Sequence, residues 1–242
     1  MFGPLEKRET TVDACVRQLE GAILGGSLLP GGKLPAERKL AGSLGVNRVT
    51  VRSALARLET AGLVTVRQGS GYRIEDYRER GGPGLILKLV GEAKGRQREA
   101  TIARDLLAMR RQLAGAVLDV LSDTVSDGAL NDIQVHIDRF AAAVEDGAGF
   151  EEVALRDADV LKAIVRATES DVFTLFLNAL NQAIVDFEAL RRAVYAEPGV
   201  VVASRAQLVL WLRSPYRKPV AKVVEAMARR DADVMERFLA LD

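Results

Sequence analysis

The sequence predicts a mainly α-helical protein in two parts: three helices and a β-hairpin near the N-terminus, then a bundle of six or seven helices. Three observations support this prediction. Apolar residues recur at helical spacing through most of the chain, strand-like alternation is confined to residues 63–74, and a stretch rich in charge, glycine and proline follows residue 74. The predicted domains are therefore residues 8–76 and 85–242, joined by a linker at 77–84.

A helix, a tight turn and a second helix are predicted between Leu34 and Gly62. Pro35 lies near the first turn of the first helix, where a missing N–H costs nothing, and Gly45 ends that helix. Asn47 is the predicted N-cap of the second helix. The buried stripe of the second helix is predicted from three apolar residues: Val51, Leu55 and Leu58.

A two-stranded hairpin follows, in which Val64 and Val66 are predicted to face inward on the first strand. The uncovered face of the second helix carries Arg48 and Arg52, four residues apart and therefore on one edge. From Lys33 to Arg73 there are eight Lys or Arg residues against two acidic ones, a net charge of +6. Capped helices, hairpin and clustered charge together indicate a winged helix-turn-helix that binds DNA, rather than only a solvated basic surface.

The residues LPAER, LGVNRVTVRSAL and QGSGY within 34–72 resemble the DNA-binding domain of the GntR family of bacterial transcription regulators. The resemblance implies that homodimers bind short inverted repeats in double-stranded DNA. It implies a phosphate contact from the first helix, base contacts from the second, and a hairpin tip in the minor groove. The implied DNA-binding residues are Arg38, Asn47, Arg48, Thr50, Arg52, Gln68 and Gly69.

Composition limits the class of protein. Hydrophobic residues make up 48% and charged residues 28% of the 242, as in a soluble globular protein. Residues 1–78 carry a net charge of +4 and the remainder −3, so the basic surface lies at the end that would contact DNA. A single cysteine, no signal peptide and no apolar run long enough for a membrane span lead us to expect a cytoplasmic protein without a membrane partner.

Two charged residues of the second domain fall on apolar helix stripes. Asp157 is seven residues from both Phe150 and Ile164, and Arg110 lies at the edge of the stripe of its own helix. Buried charges are costly unless they are paired or bind a ligand. Two interpretations therefore stay open: a structural one, in which the two residues form an internal ion pair or Arg110 extends outward to solvent, and a functional one, in which they line a cavity and meet a polar ligand.

The same segments, LLAMRRQL, DADVLKAI and YAEP, resemble the effector domain of the FadR branch of the GntR family. Many members of that branch hold a metal with one Asp and three His. Here Asp157 matches the aspartate, but Leu161, Val220 and Asp242 replace the histidines, and His136 lies elsewhere, so we expect no metal or cofactor. Apolar helix stripes with Arg110 as the one strong anion anchor favour an amphipathic acid, a fatty acid or acyl-CoA, as effector. The predicted effector-binding residues are Arg110, Asp157, Leu161, Phe176, Leu180, Tyr195 and Val220.

The sequence offers no nucleophile with an adjacent base, no glycine-rich phosphate loop and no metal cluster, so an enzyme is not predicted. The prediction is a ligand-responsive, homodimeric transcription regulator. Two alternatives remain: the same architecture responding to a small carboxylate, and an architectural DNA-binding protein whose helical domain only dimerises.

Overall fold

The structure, a computed structural model, describes residues 10–67, 69 and 71–241. Gln68, the first two residues of the predicted N-terminal domain, and Asp242 therefore lie outside the described residues. The chain forms two compact units, one reaching to Lys94 and one beginning at Gly95.

The first unit contains the predicted three helices and hairpin. Its elements are α1 (Thr11–Leu24), α2 (Glu37–Leu44), α3 (Arg48–Thr60), β1 (Val64–Arg67) and β2 (Gly71–Ile74). A capping box between Thr10 and Asp13 begins α1, and Gly45, with a φ of 65°, ends α2 in the left-handed conformation that favours glycine. The strands pair antiparallel, which confirms the predicted fold class for this part of the chain.

The core of the first unit lies between α3 and the elements around it. Val51, Leu55 and Leu58 are each 0% exposed, which confirms the predicted stripe of α3. On β1, Val64 is buried as predicted, but the prediction for Val66 was wrong, because its side chain is 49% exposed. Val66 pairs with β2 two residues closer to the hairpin tip, where the strands have passed the edge of the core.

Residues 77–94 pack with the first unit. They form α4 (Tyr77–Arg80), a 3₁₀ turn (Pro83–Leu85) and α5 (Ile86–Gly91). Leu85 belongs to the core of α1–α3, and Lys88 forms an ion pair with Glu20 of α1. The contacts thus divide the chain after Lys94, whereas the sequence predicts a linker at 77–84. The charged and glycine-rich composition of that stretch does not indicate that Leu85, the next residue, packs into the core of the first unit. The boundaries 8–76 and 85–242 remain a prediction.

The second unit, as far as the structure describes it, consists of seven α-helices, in agreement with the predicted bundle. They are α6 (Arg96–Thr124), α7 (Asp127–Glu145), α8 (Phe150–Arg166), α9 (Asp171–Asp186), α10 (Glu188–Val194), α11 (Pro198–Arg213) and α12 (Val220–Ala240). Helix α6 packs on α12 and α9, and α7 packs on α8 and α11. No helix of the described residues is long and apolar enough to span a membrane.

The apolar pattern of the sequence predicts one helix over 172–195, a pair of helices over 220–238 and Met109 in the buried stripe of α6, and the structure differs in all three. The helix expected over 172–195 is broken at Phe187, whose ψ of 89° leaves the helical region, so that α9 and α10 are separate. The expected last pair of helices is one continuous α12, because no glycine or proline interrupts residues 220–240. Met109, expected in the stripe of α6, is 54% exposed, because the buried face of α6 runs through Leu107 and Leu118 instead.

Candidate functional site

The N-terminus of α3 forms the centre of a basic surface on the first unit. The Asn47 side chain accepts a hydrogen bond of 2.8 Å from the backbone N–H of Thr50, so Asn47 caps the helix as predicted. Arg48 and Arg52 are exposed on the following turns, as is Val49, whose side chain is 75% exposed. The chain thus presents two guanidiniums and one apolar side chain on the face that the core does not use.

The guanidinium of Arg52 is held by a carboxylate that the sequence reading did not identify. Its Nη2 donates to Oε2 of Glu37 at 2.9 Å, and its Nε lies 3.4 Å from Oε1. The hydrogen bond from Arg52 lowers the pKa of Glu37, and the bond to Glu37 raises the pKa of Arg52. This contact uses one side of the planar guanidinium and leaves its other N–H groups free for a further acceptor.

The hairpin extends the basic surface. Arg67 at the end of β1 and Arg73 on β2 are exposed, and Gly69 between the strands has a φ of 74° and is exposed. Arg38 on α2 is exposed as well. Arginine side chains grouped around a helix N-terminus and a glycine-rich turn can contact phosphate oxygens, while guanidiniums on the helix can reach base edges.

The second unit contains a partly open cavity of about 90 Å³. We call it the arginine cavity, because four arginines line it together with one carboxylate and one amide. These polar residues are Arg110, Arg111, Arg205, Arg230, Asp231 and Asn181. The rest of its lining is mainly apolar and comes from α6, α8, α9, α10, α11 and α12.

Asp157 forms a buried ion pair behind the cavity. Its carboxylate is 0% exposed and accepts hydrogen bonds from Nε and Nη2 of Arg205 at 2.7 and 2.9 Å, and from the Tyr195 hydroxyl at 2.9 Å. Burial acts to raise the pKa of Asp157, but the charge of Arg205 and the bonds from both partners lower it below its usual value. Burial and the neighbouring carboxylate raise the pKa of Tyr195. Asp157 is thus ionised and fully hydrogen-bonded within the protein.

The other arginines of the cavity are less completely paired. Arg110 and Arg111 share the carboxylate of Asp231, with 3.4 Å between Arg110 Nη2 and Asp231 Oδ1. Arg230 donates a hydrogen bond to the hydroxyl of Ser204. Of the effector-binding residues predicted from the sequence, Arg110 and Leu161 line the cavity.

The remaining predicted effector-binding residues lie elsewhere. Asp157 and Tyr195 form the buried layer behind Arg205. Phe176 is 47% exposed, because the buried face of α9 runs through Leu177 and Leu180. Leu180 is buried in the core outside the cavity lining, and Val220 is half-buried at the start of α12, also outside that lining.

Sequence reasoning missed Arg205, which is the partner of Asp157. A signal was present: Val201, Arg205 and Val209 follow one another at intervals of four, so Arg205 interrupts an apolar stripe as Asp157 does. Among the described residues, no group of three or more His, Cys, Asp or Glu side chains is positioned to hold a metal ion.

The fold and basic surface of the first unit are those of a winged helix-turn-helix DNA-binding domain. Comparison with known families agrees: residues 11–74 match the family described as "Bacterial regulatory proteins, gntR family". The N-terminal domain therefore belongs to the GntR family, as the sequence predicted.

Two named relatives extend the comparison. The chain is 37% identical over 103 residues to "HTH-type transcriptional regulator Mce2R" of Mycobacterium tuberculosis, covering 43% of this chain and 42% of that protein. It is 30% identical over 156 residues to the "Fatty acid metabolism regulator protein" of Edwardsiella ictaluri, covering 63% of this chain and 60% of that one. The chain thus spans about two to three fifths of these relatives. Both are named as regulators, in agreement with the prediction that this is not an enzyme.

A solved structure shares the fold. It is titled "Lar controls the expression of the Listeria monocytogenes agr system and mediates virulence", and it matches with a TM-score of 0.63 at 15% identity. The match covers 98% of this chain and 100% of that one. At this identity the likeness concerns the fold alone, and it supports the combination of a winged helix-turn-helix with a helical domain.

Proposed function

We propose that this chain is a transcription regulator that binds an inverted-repeat operator as a homodimer and responds to a small-molecule effector. The observation that carries the proposal is the basic face of α3, where Arg48 and Arg52 are exposed on a GntR-family domain that also exposes Arg38 and the hairpin arginines. The names of the two relatives support regulation of transcription. Such a protein would act in the cytoplasm, where bacterial DNA lies.

The chemistry of the exposed side chains indicates which part of the DNA each of them would contact. Arg48 and Arg52 would donate to guanine edges in the major groove, and the exposed Val49 between them would contact a thymine methyl group. Arg38 would hold a phosphate. The backbone at Gly69, with Gln68, would approach the minor groove. The two half-sites of a homodimer would be read identically, which requires an inverted repeat.

Selection from a pool of randomised duplexes with the full-length protein tests this proposal. The wild type should enrich an inverted repeat. Arg48→Ala and Arg52→Ala should each relax the preference at one position per half-site, at a cost of about 1–3 kcal/mol per lost bidentate contact. Arg38→Ala should weaken binding to all sequences and flatten its salt dependence. Arg139→Ala, which removes an exposed charge from the second unit, is the matched control.

The outcomes separate two errors. If the wild type enriches no duplex, the regulator proposal is wrong. If it enriches one and neither Arg48→Ala nor Arg52→Ala alters the preferred bases, α3 is not the recognition helix.

The proposed homodimer is supported by an apolar stripe on α9. Val172, Leu175 and Phe176 are 66%, 70% and 47% exposed, and their spacing places them on one side of the helix. A row of large exposed apolar side chains is typical of a surface that another protein covers. We assign that surface to a second copy of this chain.

The effector proposal rests on the arginine cavity. A cavity lined by four guanidiniums is typical of a ligand-binding site and would serve no purpose in a domain that only dimerises. The predicted effector, a fatty acid or acyl-CoA, is supported by the apolar part of the lining and by the name of the Edwardsiella relative, a fatty acid metabolism regulator protein. The alternative, a small carboxylate, is supported by the cavity volume of about 90 Å³, well below the ~300–1,000 Å³ of pockets for drug-sized ligands.

A further inference from the structure

The arginine cavity carries positive charge that the protein itself does not neutralise. One carboxylate, Asp231, is shared by Arg110 and Arg111, and a second, Asp157, pairs with Arg205. Those three guanidiniums thus face two carboxylates, and a fourth guanidinium remains to be accounted for. A charge in a partly desolvated site is costly unless it is paired. Whether the fourth guanidinium has a partner within the protein therefore decides what charge a ligand of the cavity should carry.

The fourth guanidinium belongs to Arg230, which is half-buried. Its hydrogen bond goes to the neutral hydroxyl of Ser204, and within the described part of the chain it has no ion-pair partner. Burial, followed by repulsion from Arg205 and Arg110, lowers the pKa of Arg230. Four guanidiniums line the cavity against one carboxylate in the lining, Asp231, and one behind it, Asp157, which leaves an excess of two positive charges.

A buried amide faces the same space. Asn181 on α9 lines the cavity and is 6% exposed. Its side chain makes no hydrogen bond to another described residue. The amide therefore faces the cavity with donors and an acceptor that a molecule in the cavity, water or ligand, can meet.

We infer that the arginine cavity binds a compact dianion, a short dicarboxylate or a phosphate group, held by Arg230 and Asn181 with help from Arg110. This inference rests on the proposed function, whose effector class it names. Two negative charges would match the excess charge, and oxygen acceptors would satisfy both Arg230 and Asn181. The volume limits the size of the ligand: about 90 Å³ is smaller than a dry cavity of ~150 Å³ that admits benzene, which excludes a long apolar chain and favours the smallest dianions.

The cavity also has a route of entry suited to an ion. Arg205, Leu208, Met227 and Arg230 line both the cavity and an open groove of about 650 Å³ beside α11 and α12. The groove carries further cations, including Lys222. Positive charge along the entrance concentrates anions and directs them inward, and Arg230 stands where the groove meets the cavity.

Isothermal titration calorimetry and thermal unfolding of the full chain test the inference. The probes are malonate, succinate and inorganic phosphate on one side, and palmitate and palmitoyl-CoA on the other. We expect at least one dianion to bind and to raise the unfolding temperature; comparing the dicarboxylates with phosphate shows which source of the dianion the site prefers. Binding of palmitate or palmitoyl-CoA with no response to any dianion would overturn the inference.

Arg230→Met is the decisive variant, because the two roles of an arginine predict opposite effects on the free protein. If Arg230 is held for a ligand, its removal relieves repulsion and should raise the unfolding temperature by about 2–4 °C, while weakening dianion binding about 10- to 100-fold. A fall in unfolding temperature would show a structural arginine and overturn the inference. Arg139→Met is the matched control: its side chain is exposed outside both the cavity and the groove, and it should change neither quantity.

A second variant tests the same site independently of Arg230. Asn181→Leu should keep or raise stability, because it replaces an unpartnered amide, and should weaken dianion binding; unchanged binding would contradict the assignment. DNA selection is measured separately on the wild type. A protein that binds dianions but no duplex would refute the proposed function alone, and one that binds its duplex but no dianion would refute this inference alone.

Discussion

Replacing Arg205 by methionine should strongly destabilise the second unit. The substitution leaves the Asp157 carboxylate, which is 0% exposed, with only the Tyr195 hydroxyl as a hydrogen-bond donor. Breaking a buried ion pair by removing one partner costs about 3–5 kcal/mol, since the other charge stays buried and unpaired. In a domain of this size that corresponds to a fall of roughly 6–20 °C in unfolding temperature.

The double variant Asp157→Leu/Arg205→Met should be far less harmful. Replacing both members of a buried pair by apolar side chains of similar volume is often neutral or stabilising, because no charge remains to be desolvated. The expected coupling energy is therefore large, with the double variant closer to the wild type than either single variant. Tyr195→Phe, which removes one hydrogen bond to a charged group, should cost about 1.5–3 kcal/mol.

The assay is urea unfolding followed by tryptophan fluorescence. Trp211 on α11 is the single tryptophan of the chain, so the signal reports the second unit without interference from the first. Effects of the two single substitutions that simply add in the double variant would refute the assignment of a coupled pair. So would Arg205→Met with the stability of the wild type.

The same variants have a defined pH dependence. The pKa of Asp157 is lower in the folded protein than its usual value, so the pair stabilises the fold at pH values above the unfolded pKa of about 3.9. That contribution is lost as the pH falls through the lower, folded pKa. The wild type should therefore lose more stability on acidification than the double variant does, and equal losses would contradict the pKa argument.

Three further predictions follow from other sites. Glu37→Gln should weaken the base preference at the position read by Arg52, because the Arg52 guanidinium loses its carboxylate partner. The preference at the position read by Arg48 should stay unchanged. Duplex selection measures both positions, and an equal loss at both would indicate a general effect on folding. Leu175→Glu should convert the dimer to a monomer in light scattering, while Leu210→Glu, at an equally exposed position on α11, should not. Elemental analysis of untagged protein should find no stoichiometric zinc, nickel or manganese; tightly bound metal would contradict the alignment on which this expectation rests.

Local patterns predicted most of the fold, because they depend on residues close in sequence. The N-cap Asn47, the left-handed Gly45 and the stripe of α3 are each decided within one or two helical turns. The break at Phe187 and the exposure of Val66 were not predictable in this way. The first depends on how α9 and α10 pack, and the second on where the core ends along the hairpin.

The site in the second unit shows the limit of sequence reasoning more clearly. Asp157 and Arg110 could both be recognised as charged residues on apolar stripes, and an ion pair between them was one of the two open interpretations. The actual partner of Asp157 is Arg205, 48 residues away, while Arg110 contacts Asp231, 121 residues away. Helical periodicity indicates which side of a helix a residue lies on, but it does not indicate which other helix faces it.

What distinguishes Arg205 from Arg230 is therefore their pairing and not their position in the sequence. Both lie in the second unit and both line the cavity, but Arg205 is held by two hydrogen bonds to a buried carboxylate, whereas Arg230 is held by a neutral hydroxyl. The first arrangement satisfies its charge within the protein, so its removal must cost stability. The second arrangement leaves a positive charge without a partner in the protein, so the removal of Arg230 should weaken the binding of an anionic ligand. Opposite signs of the stability change in Arg205→Met and Arg230→Met would separate the two roles within one cavity.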